Sequence, residues 1–118
     1  MLGQAQAIAK RPPHLAASGH PMQVKTTAIL ASPGFADTVL NGTIPFGGCW
    51  VTFTASVDCY IFFNSINTGL PAPSATNSFT MTAGVEYNWW VNDTDDGWIY
   101  FCRAGANDGV LTRYRSNL

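Results

Sequence analysis

The stretch Gly47 to Phe63, GGCWVTFTASVDCYIFF, constrains this chain more than any other. Two runs of β-branched and aromatic residues, Cys49–Ala55 and Cys59–Phe63, flank the short interruption Ser56-Val57-Asp58, which predicts a β-hairpin closed by a tight turn. In the first run Cys49, Val51, Phe53 and Ala55 alternate with Trp50, Thr52, Thr54 and Ser56. A period of two with one apolar side is the pattern of a strand with one buried face. Tyr60, Ile61, Phe62 and Phe63 are apolar at both parities, so the second strand is expected to be covered on both sides, by a second sheet or by a neighbouring subunit.

The same reasoning extends to both ends. Val24–Leu30 reads as a first strand, Ser32-Pro33-Gly34 as a turn, and Phe35–Leu40 as a second strand. Asn41-Gly42 is a two-residue hairpin signal leading into Thr43–Phe46. After the central hairpin come a polar loop over Asn64–Asn77, expected to be functional or interfacial, and short strands at Phe79–Thr82, Val85–Val91, Trp98–Arg103 and Val110–Arg115. About eight short strands separated by Gly, Pro and Asn turns predict an all-β chain: an antiparallel β-sandwich with jelly-roll-like connections. Residues 1–23 lack any strand alternation and have few large apolar side chains, so they are expected to form an extended N-terminal arm ahead of a sandwich domain over 24–118.

Charge separates the two parts. Lys10, Arg11 and Lys25 lie in the first 25 residues with no acid among them, while all seven acids lie beyond. Only 11% of the residues are charged, well below the usual share, which points to a surface that is uncharged or covered by partners. A net charge of −1 gives no electrostatic footprint for nucleic acid, and no apolar run reaches the length of a membrane span. The three cysteines, Cys49, Cys59 and Cys102, are expected to be buried free thiols of a protein made in a reducing compartment, although Cys49 and Cys59 would face each other across the proposed hairpin.

The familiar catalytic spacings are missing. There is no GxSxG, HExxH or Gly-rich phosphate loop, and His14 and His20 lie far in sequence from every cysteine. Asp93, Asp95 and Asp96 form the one carboxylate cluster, and the run lacks the glycine and distal glutamate of a calcium loop, so a solvated turn is expected. No catalytic, metal-ligating or cofactor-binding residue is therefore assigned. Arg103, Arg113 and Arg115 are expected at the solvated surface, within reach of acidic partners. The aromatics exceed what one face of a small sheet can hold. Most are expected in the core and in an oligomer contact made by Tyr60, Phe62, Trp89 and Trp90, while Trp89, Trp90 and Trp98 with the Asn64–Asn77 loop offer an alternative glycan-stacking surface.

The order Gly-Gly-x-Trp-Val-Thr-Phe-Thr-Ala and Asp-Cys-Tyr-Ile-Phe-Phe within Gly47–Phe63, then Phe-Thr-Met-Thr-Ala-Gly (Phe79–Gly84), an aromatic strand and Gly-Val-Leu-Thr-Arg-Tyr (Gly109–Tyr114), resembles small head-decoration or cement proteins of tailed bacteriophages. The resemblance covers roughly residues 38–115. It implies a non-enzymatic virion structural protein, made in the host cytoplasm, that binds the major capsid protein on the outer capsid surface as a dimer or trimer. Composition adds the arm as a capsid contact, through Lys10, Arg11, Pro12, Pro13, His14 and Lys25. No nucleic acid, membrane or cofactor is expected as a partner.

Overall fold

The computed structural model describes residues 22–38, 44 and 46–116. Among these there is no helix, and eight strands form: β1 (Met22–Ile29), β2 (Gly34–Asp37), β3 (Cys49–Ala55), β4 (Cys59–Asn64), β5 (Phe79–Met81), β6 (Tyr87–Val91), β7 (Trp98–Arg103) and β8 (Gly109–Ser116). They make two antiparallel four-stranded sheets, ordered β1-β8-β3-β6 and β2-β7-β4-β5. Every link except β4 to β5 crosses from one sheet to the other, and this order is the jelly-roll form of the β-sandwich. The fold expected from the alternation is thus the one observed, and β7 matches its expected bounds at both ends.

The sheets face each other across a core of Ile29, Val51, Phe53, Ala55, Cys59, Ile61, Met81, Val91, Ile99, Phe101 and Leu111. The period of two accounts for it. In β3 the burial alternates so that Val51, Phe53 and Ala55 are buried between the less buried Trp50, Thr52 and Thr54. Removing a ring as large as that of Phe53 from such a core costs about 3–5 kcal/mol, so these positions carry much of the stability.

The expected hairpin does not form. β3 pairs with β6 and β8, whereas β4 pairs with β5 and β7, so the two strands lie in different sheets. The reason lies in the link between them. Ser56 donates its main-chain N–H to the Val110 carbonyl (3.0 Å) and accepts from the Val110 N–H through its hydroxyl (2.8 Å). Asp58 then accepts from Ala104 through its carbonyl (2.9 Å) and from Ala83 through its carboxylate (2.8 Å). The polar groups of the turn are bound by other strand ends, which turns the chain across the sandwich instead of back along its own sheet. Gly109 permits this approach, since a Cβ there would lie 2.5 Å from Val57 Cγ2 and 2.6 Å from Ser56 Oγ. With the hairpin goes its cross-strand cysteine pair, and Cys49, Cys59 and Cys102 are all free.

Other boundaries shift modestly. The first strand begins at Met22, two residues inside the expected arm, and β2 ends at Asp37. The Asn41-Gly42 hairpin and nearly all of the arm, including Lys10, Arg11, Pro12, Pro13 and His14, lie outside the described residues. Phe46 sits fully exposed in a turn, not in a strand.

Arg113 corrects a further expectation. Its charge predicts the solvated surface, yet it is 0% exposed and points between the sheets from β8. Its guanidinium donates to the Asp37 main-chain carbonyl at the end of β2 and to Thr27 Oγ1 on β1 (3.0 Å). A guanidinium stays charged at ordinary pH, so burial is tolerated only with such acceptors. Burial pushes its pKa down, and the nearby Asp37 partly opposes that shift. Arg103 also has a partner within the chain, Asp108 at 2.6 Å.

Candidate functional site: an uncharged sheet face and an aromatic cavity

Two features stand out on the surface, and strand alternation builds both. The outward positions of the β1-β8-β3-β6 sheet run in cross-strand rows: Val24, Tyr114, Thr52 and Asn88 in one, Thr26, Thr112 and Thr54 in the next, and Trp50 beside Trp90. None of these side chains is charged, nor are Ala28 and Val110, which complete the described outward positions. Trp50 (57% exposed) and Trp90 (50%) meet edge to face, with centroids 5.4 Å apart, and Val24 (54%) extends the apolar surface. Threonine, valine and tryptophan suit a pleated surface, and their concentration on an outer face leaves it uncharged.

Gly48 sets the position of Trp90. It has φ +110°, and a Cβ there would run into the Val91 carbonyl oxygen and lie 2.8 Å from Trp90 Nε1. The glycine before Cys49 therefore lets the edge strand β6 and its indole close down on the start of β3.

The second feature lies along the edge where β6 of one sheet approaches β5 of the other. Trp89 turns inward and contacts four rings: Phe53 (5.2 Å), Phe63 (5.4 Å), Phe79 (5.3 Å) and Tyr87 (5.2 Å). Phe63 and Phe79 stand at 84° and 89° to the Trp89 plane, the edge-to-face geometry that the ring quadrupoles favour. A shallow cavity of about 280 Å³ opens there, lined by Phe63, Phe79, Trp89, Trp90 and Asp96. Asp96 is held in place because its Oδ2 accepts from the Asn92 N–H (2.7 Å), while Asn92 Oδ1 accepts from Thr94 N (2.8 Å) and Thr94 Oγ1 (2.6 Å). The acidic turn is closed by its own side chains, and among the described residues no group of three or more His, Cys, Asp or Glu is placed to hold a metal ion.

The residues singled out for binding are distributed over several surfaces. Tyr60 and Phe62 face outward on the β2-β7-β4-β5 sheet, where Phe62 meets Tyr100 at 5.5 Å and Tyr100 stacks on Phe35 at 3.9 Å. Trp90 faces outward on the opposite sheet and Trp89 faces inward, so the four expected contact residues do not share one face. Of the three tryptophans expected to stack on a glycan, Trp89 and Trp90 reach the cavity, whereas Trp98 pairs with Asn64 and Asp37 on the other sheet. The loop after Asn64 is internally tied, with Asn77 Oδ1 accepting from Ser74 N (2.8 Å) and Asn77 Nδ2 donating to Ala72 O (3.0 Å). It folds back over β7, where Pro73 is buried and its carbonyl accepts from Cys102 Sγ at 3.6 Å. Lys25 is exposed on β1.

Sequence reasoning missed the charge-free face and Asp96 as a cavity residue. The signal for the first was present in the threonines and tryptophans at alternate positions, but strand order was needed to join them.

Fold and surface together define a small jelly-roll β-sandwich with aromatic surface sites. No protein-family model matches the chain, and no curated protein matches it significantly. A solved structure from "Bacillus endospore appendages form a novel family of disulfide-linked pili" is 10% identical, with 84% of this chain and 88% of that one covered at a TM-score of 0.40. A likeness that distant carries no argument about function.

Proposed function

We propose that this chain is a non-enzymatic structural protein that decorates and reinforces a larger protein shell, the capsid-surface role implied by its resemblance to phage head-decoration proteins. The observation that carries the reading is the uncharged outer face of the β1-β8-β3-β6 sheet, with Trp50 and Trp90 half exposed on it. Protein interfaces are depleted of charge at their centre and enriched in tryptophan and tyrosine, as this face is. Two indoles exposed side by side represent unused apolar area that a partner would remove from water, at about 25 cal/mol per Å². Many copies on one shell would then gain strength from multivalency.

The experiment is co-sedimentation of the purified chain with shells that lack it, comparing the native protein with Trp50→Glu and Trp90→Glu. Loss of binding in both variants, with unchanged unfolding, supports the reading. Undiminished binding removes this face from the interface, and a chain that ignores shells altogether removes the role.

A further inference from the structure

We propose that the cavity at the β5/β6 edge is a binding site for a small organic cation of the quaternary-ammonium type. Its lining is four aromatic residues, Phe63, Phe79, Trp89 and Trp90, and one carboxylate, Asp96. Phe63 and Phe79 stand nearly at right angles to Trp89 within this lining, and Asp96 contributes the one charged group. The π-face of an aromatic ring carries negative potential, and aromatic rings together with a carboxylate attract a weakly hydrated cation. The surrounding charge has the same sign, because Asp93 and Asp95 share the turn with Asp96.

The alternative occupant, a neutral sugar, fits the lining less well. Sugars need several hydrogen-bond partners around their hydroxyls, whereas the lining holds a single carboxylate among four aromatic residues. At about 280 Å³ the space suits a trimethylammonium head rather than an oligosaccharide. Asp96 is suited to receive a cation because its orientation is set by the Asn92 N–H. Phe79 is 49% exposed, so part of its ring is accessible to one.

The test is titration of the full chain with choline, followed by tryptophan fluorescence, against its neutral isostere 3,3-dimethylbutan-1-ol and against methyl glucoside. Choline is expected to give a saturable change, with the isostere weaker by about ten-fold or more, the difference made by charge over aromatic faces. Asp96→Asn keeps an oxygen acceptor for Asn92 and is expected to weaken choline by a similar factor without shifting the unfolding midpoint. Phe79→Ala, at a half-exposed position, is expected to weaken choline as well. Equal affinity for choline and its isostere, tighter binding of the glucoside, or no saturable response to choline would each overturn the proposal.

Discussion

The guanidinium of Arg113, on β8 of one sheet, donates a hydrogen bond to the main-chain carbonyl of Asp37, the last residue of β2 in the other. A second bond reaches Thr27 on β1, so a single buried side chain ties three strands together. Such a cation is tolerated in a core only while its acceptors and the nearby carboxylate remain.

Shortening this side chain is therefore costly. Arg113→Lys keeps the charge but loses the planar fork that reaches both acceptors, and it is expected to lower the unfolding free energy by about 3 kcal/mol. Urea unfolding followed by tryptophan fluorescence measures this, and a midpoint equal to that of the native chain would show that the fork is dispensable.

Cys59 makes stability depend on alkaline pH. Burial, with lesser contributions from Cys102 and Asp58, pushes its thiol from the ordinary 9.0 up to about 12. The folded chain therefore retains a proton that the unfolded chain releases. Its contribution is fully present below pH 9.0 and is lost as pH rises towards about 12. The expected slope is up to about 1.4 kcal/mol per pH unit within that window. Cys59→Ala should flatten this part of the curve when unfolding is compared at about pH 8 and about pH 10.5, whatever its effect at neutral pH.

Gly48 is required by both its backbone and its neighbours. At φ +110°, and with a Cβ directed at the Val91 carbonyl and Trp90 Nε1, Gly48→Ala is expected to cost about 2 kcal/mol or more. It should also shift the tryptophan emission, because the Trp90 indole must move. Unchanged emission together with unchanged stability would contradict the close packing of β6 on the start of β3.

The charge-free face allows folding and association to be separated. Thr54→Lys, near the end of β3 on the outer face, is expected to change stability by less than about 0.5 kcal/mol while weakening any association through that face. Light scattering and shell co-sedimentation read the second effect. An unchanged association would place the contact elsewhere.

Along the chain, the alternation in Cys49–Ala55 and the turn residues between strands were enough to predict an all-β sandwich and most of its strands. These are local properties, since a strand shows its period of two without reference to its partner. The pairing of β3 with β8 and β6, the link at Ser56–Asp58 that crosses the sandwich, and the burial of Arg113 were not legible in the same way. Each depends on groups far apart in sequence: Ser56 with Val110, Arg113 with Asp37, Trp50 with Trp90. The aromatic cavity is of this second kind, for Phe63, Phe79, Trp89 and Asp96 come from β4, β5, β6 and the turn after it. Local sequence determined which residues form strands and which side of each strand is apolar. Tertiary structure decided which strands are neighbours, because two runs with matching periods can pair in one sheet or pack across two, and only the hydrogen bonds at the strand ends distinguish these outcomes.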